Sequence, residues 1–139
     1  MTSELFWLTL TAILAASLWI PYIIGVNTSG EDVMNEKRSR DFTRPSDPSQ
    51  ERPWVHRAFR AHLNLLEQFL PFAAVVIVAH LAGISTTATV WACIVFFWLR
   101  VIHAVWMIAG FPVIPARPLI FTAGWVCILV IAGVVLAAQ

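Results

Sequence analysis

Four apolar stretches, at roughly 5–26, 62–82, 86–109 and 119–138, leave this 139-residue chain few ways to fold. Each is close to the ~20 residues that carry a helix across ~30 Å of hydrocarbon, where every backbone N–H and C=O must be satisfied within the segment. Alternating strands of a membrane barrel are not visible. A hydrophobic fraction of 59%, seven tryptophans and a mean hydropathy of +0.77 lie well outside the soluble globular range. The expected fold class is all-α integral membrane: an antiparallel bundle of four transmembrane helices, at roughly 5–26, 54–82, 86–109 and 117–138, in a single domain spanning 1–139. Ala15, Ala16 and Ser17 imitate a signal-peptide cleavage site. However, Glu4 is the only early charge and the apolar run continues through Leu18, Trp19, Ile20 and Tyr22, so the first stretch reads as a retained helix.

The segment from Asn27 to Pro53 is polar and carries Lys37, Arg38, Arg40, Arg44 and Arg52, whereas the connection from Gly83 to Thr87 has no charge. This bias places the 27–53 loop in the cytoplasm, and an even number of spans then places both termini on the non-cytoplasmic side. The connection from Gly110 to Pro118 shares the cytoplasmic side in this reading. Its prolines, Pro112, Pro115 and Pro118, make it a stiff turn that cannot continue a helix. The compact chain without an appended sorting signal points to a bacterial inner membrane.

Polar residues inside the spans are the second constraint. At 100° per residue, Arg57, Arg60, Asn64, Glu67 and Pro71 fall within an arc of roughly 80°, forming one stripe, with His62 pointing the other way. An ionisable group in hydrocarbon costs several kcal/mol unless it faces protein or trapped water, so the stripe is expected to look into a bundle interior or a polar cavity. Arg100 and His103, one turn apart in the third span, share a face with Met107, and Arg117 begins the fourth. From Arg57 onward, three excess positive charges remain after Glu67 is counted, and an anion is the simplest thing that balances them. Other roles stay open. Arg57 can snorkel to headgroup phosphates, and Glu67 can pair with Arg100 or with an arginine of a neighbouring subunit. Asn64 can hydrogen-bond backbone across helices, and His103 suits packing as well as ligand contact.

Several chemistries find no support. Cys93 and Cys127 lie in different spans without CxxC spacing and read as buried apolar fillers. No serine or cysteine nucleophile stands beside a histidine, no glycine-rich phosphate loop occurs, and no His/Cys/carboxylate cluster offers a metal site. His80 and most tryptophans suit interfacial positions. A basic patch for nucleic acid is absent, and without charges on the distal helix ends there is no ion path for a transporter.

The run from Arg60 to Phe72, R-A-H-L-N-L-L-E-Q-F-L-P-F, resembles the R-A-x-x-N-x-x-E-x-x-x-P signature of the MAPEG superfamily, the membrane-associated proteins in eicosanoid and glutathione metabolism. The stretch from Arg100 to Val105 is similar to the R-V-x-H-x-V segment of that superfamily's prostaglandin E synthase branch. The resemblance implies a homotrimer with the second span lining its core and three glutathione sites between subunits, open to the cytoplasm. Arg57, Arg60, Asn64, Glu67, Arg100 and His103 would bind glutathione, with guanidinium forks suited to its carboxylates. Arg117 and Arg100 would stabilise the thiolate, which is the nucleophile.

Departures from the pattern narrow this expectation. His56 precedes Arg57 where relatives usually carry glutamate, and Leu63 replaces a basic residue of some members. Met107 and Phe121 stand where the prostaglandin branch carries tyrosines, and Pro118 stands where it has serine. Tyr22 is the only tyrosine, so prostaglandin isomerase activity is not expected, and hydroxyl-assisted thiol activation in the fourth span is excluded by composition. The expectation is a glutathione-dependent transferase or peroxidase acting on lipophilic electrophiles from the bilayer. The competing reading is a non-catalytic membrane scaffold or accessory subunit.

Overall fold

A computed structural model describes residues 1–28, 51–111 and 116–138, without the side chains of Ala116 and Arg117. The candidate guanidinium of Arg117 and the loop residues Lys37, Arg38, Arg40 and Arg44 therefore lie outside the described residues. Among those described, five helices make four spans. These are α1 (Ser3–Ser17) with α2 (Ile20–Thr28), then α3 (Pro53–Leu81), α4 (Thr87–Ala109) and α5 (Ala116–Ala137). All four spans contain helix long and apolar enough to cross a membrane, and no strand occurs among the described residues.

Local chemistry sets where these helices break and stop. The first span is not the continuous helix that hydropathy alone suggests. Pro21 has no N–H for the Ser17 carbonyl, and the chain passes through a turn at Leu18 and Trp19 before α2 begins. Pro71 has the same defect, yet α3 runs through it with the ring on the exposed face. The missing N–H there deprives the Glu67 carbonyl of its helical donor. Pro53 opens α3, a position where the absent N–H costs nothing. Reciprocal hydrogen bonds between Thr86 and Thr89 open α4, which ends at Gly110 in the left-handed conformation (φ 76°).

α3 and α4 form the central pair, each touching α1 on one side and α5 on the other. Consecutive spans run antiparallel. The end of α2 meets the start of α3 where Gly25 lies so close to Trp54 and Val55 that an added Cβ would stand 2.8 and 2.5 Å from their side chains. The start of α3 meets the end of α4 where Arg57 Nη2 donates to the Ile108 carbonyl at 3.4 Å.

Two apolar clusters fill the interior. One, towards the Ser85 end of the bundle, holds Val76, Cys93, Ile128 and Ile131 around the stacked rings of Phe72 and Phe96, whose centroids are 3.9 Å apart. The other, towards the polar loop, gathers Ala15, Leu18, Ala61, Leu65, Ala104 and Met107. Between them along α3 and α4 lies a buried polar layer of Asn64, Gln68, Arg100 and His103. Cys93 and Cys127 are free and buried, as small apolar fillers would be.

Glu4, notable in the sequence only as an early charge, ties the first span to the third. It is 4% exposed, and its Oε1 accepts from Ser85 Oγ at 2.7 Å and Thr89 Oγ1 at 2.8 Å. The carboxylate sits against the N-terminus of α4, the favourable end of that helix dipole. Glu4→Ala removes the acceptor for two hydroxyls, so a stability loss on the order of 1–3 kcal/mol is expected as a lower thermal midpoint in detergent. Glu4→Gln retains one acceptor oxygen and should lose less. Equal midpoints for Glu4→Ala and wild type would show that the tie contributes nothing.

Candidate functional site

The polar layer is built by helical spacing on two facing helices. Asn64 and Gln68 are one turn apart on α3, and Arg100 and His103 one turn apart on α4, so all four project into the same slab of the bundle. Arg100, at 1% exposure, is among the most buried side chains described. Its Nη2 donates to the Ile120 carbonyl at 3.0 Å, and its guanidinium lies 5.5 and 5.9 Å from the ring centroids of Phe96 and Phe121. Gln68 Nε2 donates to the next carbonyl along, that of Phe121, at 2.9 Å. Two side chains from two helices thus grip consecutive carbonyls near the start of α5.

Gly124 makes that grip possible. A Cβ there would stand 2.6 Å from Arg100 Nη2 and 2.5 Å from Gln68 Oε1, so glycine lets both side-chain ends lie against α5 where a larger residue would displace them. Arg100 Nε and Nη1 and Gln68 Oε1 find no hydrogen-bond partner among the described residues. Most of the charge is thus met by ring faces and a main-chain dipole.

In front of the grip opens a pocket of about 310 Å³, lined by Asn64, His103, Pro118, Phe121 and Thr122. That volume lies at the lower end of the ~300–1,000 Å³ typical of small-molecule sites. The Asn64 amide is held by its own helix, Nδ2 donating to the Arg60 carbonyl at 2.9 Å, and it also contacts Met107 Sδ at 3.8 Å. Met107 therefore packs behind Asn64 at one of the positions where the sequence lacks a tyrosine.

The sequence candidates divide into groups that the linear pattern does not separate. Asn64 and His103 reach the pocket, whereas Arg100 lies behind its wall. Arg57 is half-buried at the C-terminus of α4, where a cation complements the dipole. Its guanidinium packs so closely on Gly110 that a Cβ there would stand 2.7 Å away. Arg60 and Glu67 face outward from the single chain, so of the two settings expected for the stripe, bundle interior or polar cavity, the interior of the single-chain bundle does not hold them. The face of α3 packed on α1, α4 and α5 is centred away from the stripe, and only Asn64 at its edge is buried with the core. Glu67 accordingly does not pair with Arg100 within one chain.

Sequence reasoning missed Gln68, Gly124 and Thr122. Gln68 was legible as a polar residue four positions beyond Asn64. The role of Gly124 depends on the partner helices and left no signal. The exclusion of hydroxyl chemistry in the fourth span also needs correction, because it weighed tyrosine alone, and Thr122 brings a hydroxyl to the pocket.

Gly124→Ala should displace Arg100 and Gln68 together, losing about 1–3 kcal/mol as the two buried side chains shed their carbonyl partners. The check is the thermal midpoint in detergent, with Gly133→Ala, which meets nothing within 4 Å, as the control. Equal midpoints for the two variants would rule out the grip as a stabilising contact. No curated protein matches this sequence. Residues 5–137 match the model of the MAPEG family, and with nearly the whole chain covered, this integral membrane protein belongs to that family.

Proposed function

We propose that the protein binds glutathione and acts as a glutathione transferase or peroxidase on lipophilic electrophiles, as a homotrimer with its polar loop in the cytoplasm. The observation that carries this reading is the outward-facing edge of α3. Arg60 and Glu67 are exposed within an apolar span, and neither side chain has a partner among the described residues. Lipid contact for two charges costs several kcal/mol, so a second copy and a charged ligand are the natural cover. Glutathione offers two carboxylates and an ammonium, which suit Arg60 and Glu67 in turn, beside the Asn64 and His103 pocket.

In this reading the bound thiolate attacks an electrophile delivered from the bilayer, with proximity supplied by the shared groove. Arg117, next in sequence to pocket-lining Pro118, supplies the positive charge that favours the thiolate. Arg100 acts through the pocket wall as a positioning residue, because its guanidinium is engaged with α5. That engagement also favours a second reading, a non-catalytic scaffold in which the buried charge serves packing alone.

Calorimetric titration of the purified protein with millimolar glutathione separates the two. Binding is expected, with Arg60→Ala or Glu67→Gln weakening it about tenfold or more, the equivalent of ~1.4 kcal/mol. Ultraviolet thiolate absorbance should accompany binding and fade in Arg117→Ala. A wild-type protein that takes up no glutathione at that concentration leaves the scaffold reading in place.

A further inference from the structure

We infer that Cys93 and Cys127 form an oxidisable pair, joined as a disulfide between α4 and α5 when a membrane-soluble organic hydroperoxide reaches them. The inference is independent of the glutathione reading, because the chemistry is that of the chain's own thiols.

The Arg100 guanidinium marks a common level on the two helices. The Phe96 ring lies 5.5 Å from it, and a Cβ on Gly124 would stand 3.2 Å from its central carbon. α4 and α5 run antiparallel, so three residues back from Phe96 and three residues on from Gly124 climb the same distance in the same direction. Those steps, just under one turn, arrive at Cys93 and Cys127. The two are buried, at 0% and 7% exposure, in the cluster that also holds Phe96, Ile128 and Ile131. Their sulfurs lie within electrostatic reach of each other, and Cys127 lies within reach of Arg100. Two thiols at one level on adjacent helices are what a disulfide between helices requires.

The neighbourhood supplies what oxidation needs. Arg100 Nε and Nη1 have no hydrogen-bond partner among the described residues, so a fixed positive charge stands ready for negative charge on the Cys127 sulfur and on a departing oxygen. In the first step that sulfur attacks the terminal oxygen of the hydroperoxide and the O–O bond breaks. The alcohol leaves with the thiol proton, and Cys127 becomes a sulfenic acid. The Cys93 sulfur then attacks the sulfenic sulfur, the S–S bond forms, and water leaves with the Cys93 proton. Sulfur is oxidised and the peroxide oxygen reduced. Both thiols lie within spans, so the oxidant has to dissolve in hydrocarbon.

Intact-mass spectrometry tests the pair in the full chain, held in lipid nanodiscs, treated with cumene hydroperoxide and then denatured in maleimide. Without oxidant both cysteines are expected to take the label. After oxidation the wild type should lose two hydrogens and both labels, give a peptide linking Cys93 to Cys127, and regain both sites with dithiothreitol. In Cys93→Ala, Cys127 should persist as a sulfenic acid that dimedone captures, and in Cys127→Ala, Cys93 should still take maleimide. Two maleimide-reactive thiols in the wild type after exhaustive oxidation overturn the inference. So do linked peptides that join separate chains only, or sulfinic and sulfonic acids without the linked peptide. The wild-type result decides even where a variant fails to fold. No glutathione enters this test, so its outcome and that of the titration are read separately.

Discussion

The structure turns on one arginine that faces no carboxylate among the described residues. Arg100 sits at 1% exposure between two apolar clusters, with one nitrogen on the Ile120 carbonyl and two ring faces nearby. A buried guanidinium without these contacts would be strongly destabilising, so α5 must approach α4 closely enough to supply them. Gly124 permits that approach, and Gln68 completes the grip from α3. The position of α5 in turn places Pro118, Phe121 and Thr122 opposite Asn64 and His103, and the pocket exists because of it.

The second organising feature is what the single chain leaves uncovered. Arg60 and Glu67 face outward on α3, and Pro71, exposed on the same face, lacks the N–H that would serve the Glu67 carbonyl. Polar groups of that strength facing lipid are rare, and their usual setting is a protein interface or a water-filled cavity. This physical argument for assembly is independent of the family to which the chain belongs. It also separates the roles of two arginines one helical turn apart, since Arg57 caps α4 within its own chain and Arg60 points away from it.

Much of this fold was legible before any coordinates. Hydropathy alone located four spans, because the bilayer imposes a length and a composition that no soluble core requires. The break at Leu18 and Trp19 was not foreseen, although Pro21 was visible, because whether a proline interrupts a membrane helix depends on the packing around it; Pro71 shows the opposite outcome. For the candidate site, helical spacing makes the stripe on α3 one face, and the single chain turns Arg60 and Glu67 on that face outward. Helical periodicity fixes which residues share a face, and neighbouring helices decide where that face points.

By itself, then, the amino-acid sequence determined that this is an all-helical membrane protein, and the signature from Arg60 to Pro71 marked its family, since both depend on residue type and spacing along one helix. Only the tertiary structure decided that Arg100 grips α5, that Arg57 caps α4, and that Glu4 ties the first span to the third. Each of these is a contact between helices distant in sequence. Their geometry follows from packing, where a missing Cβ at Gly25, Gly110 or Gly124 sets how closely two helices can lie.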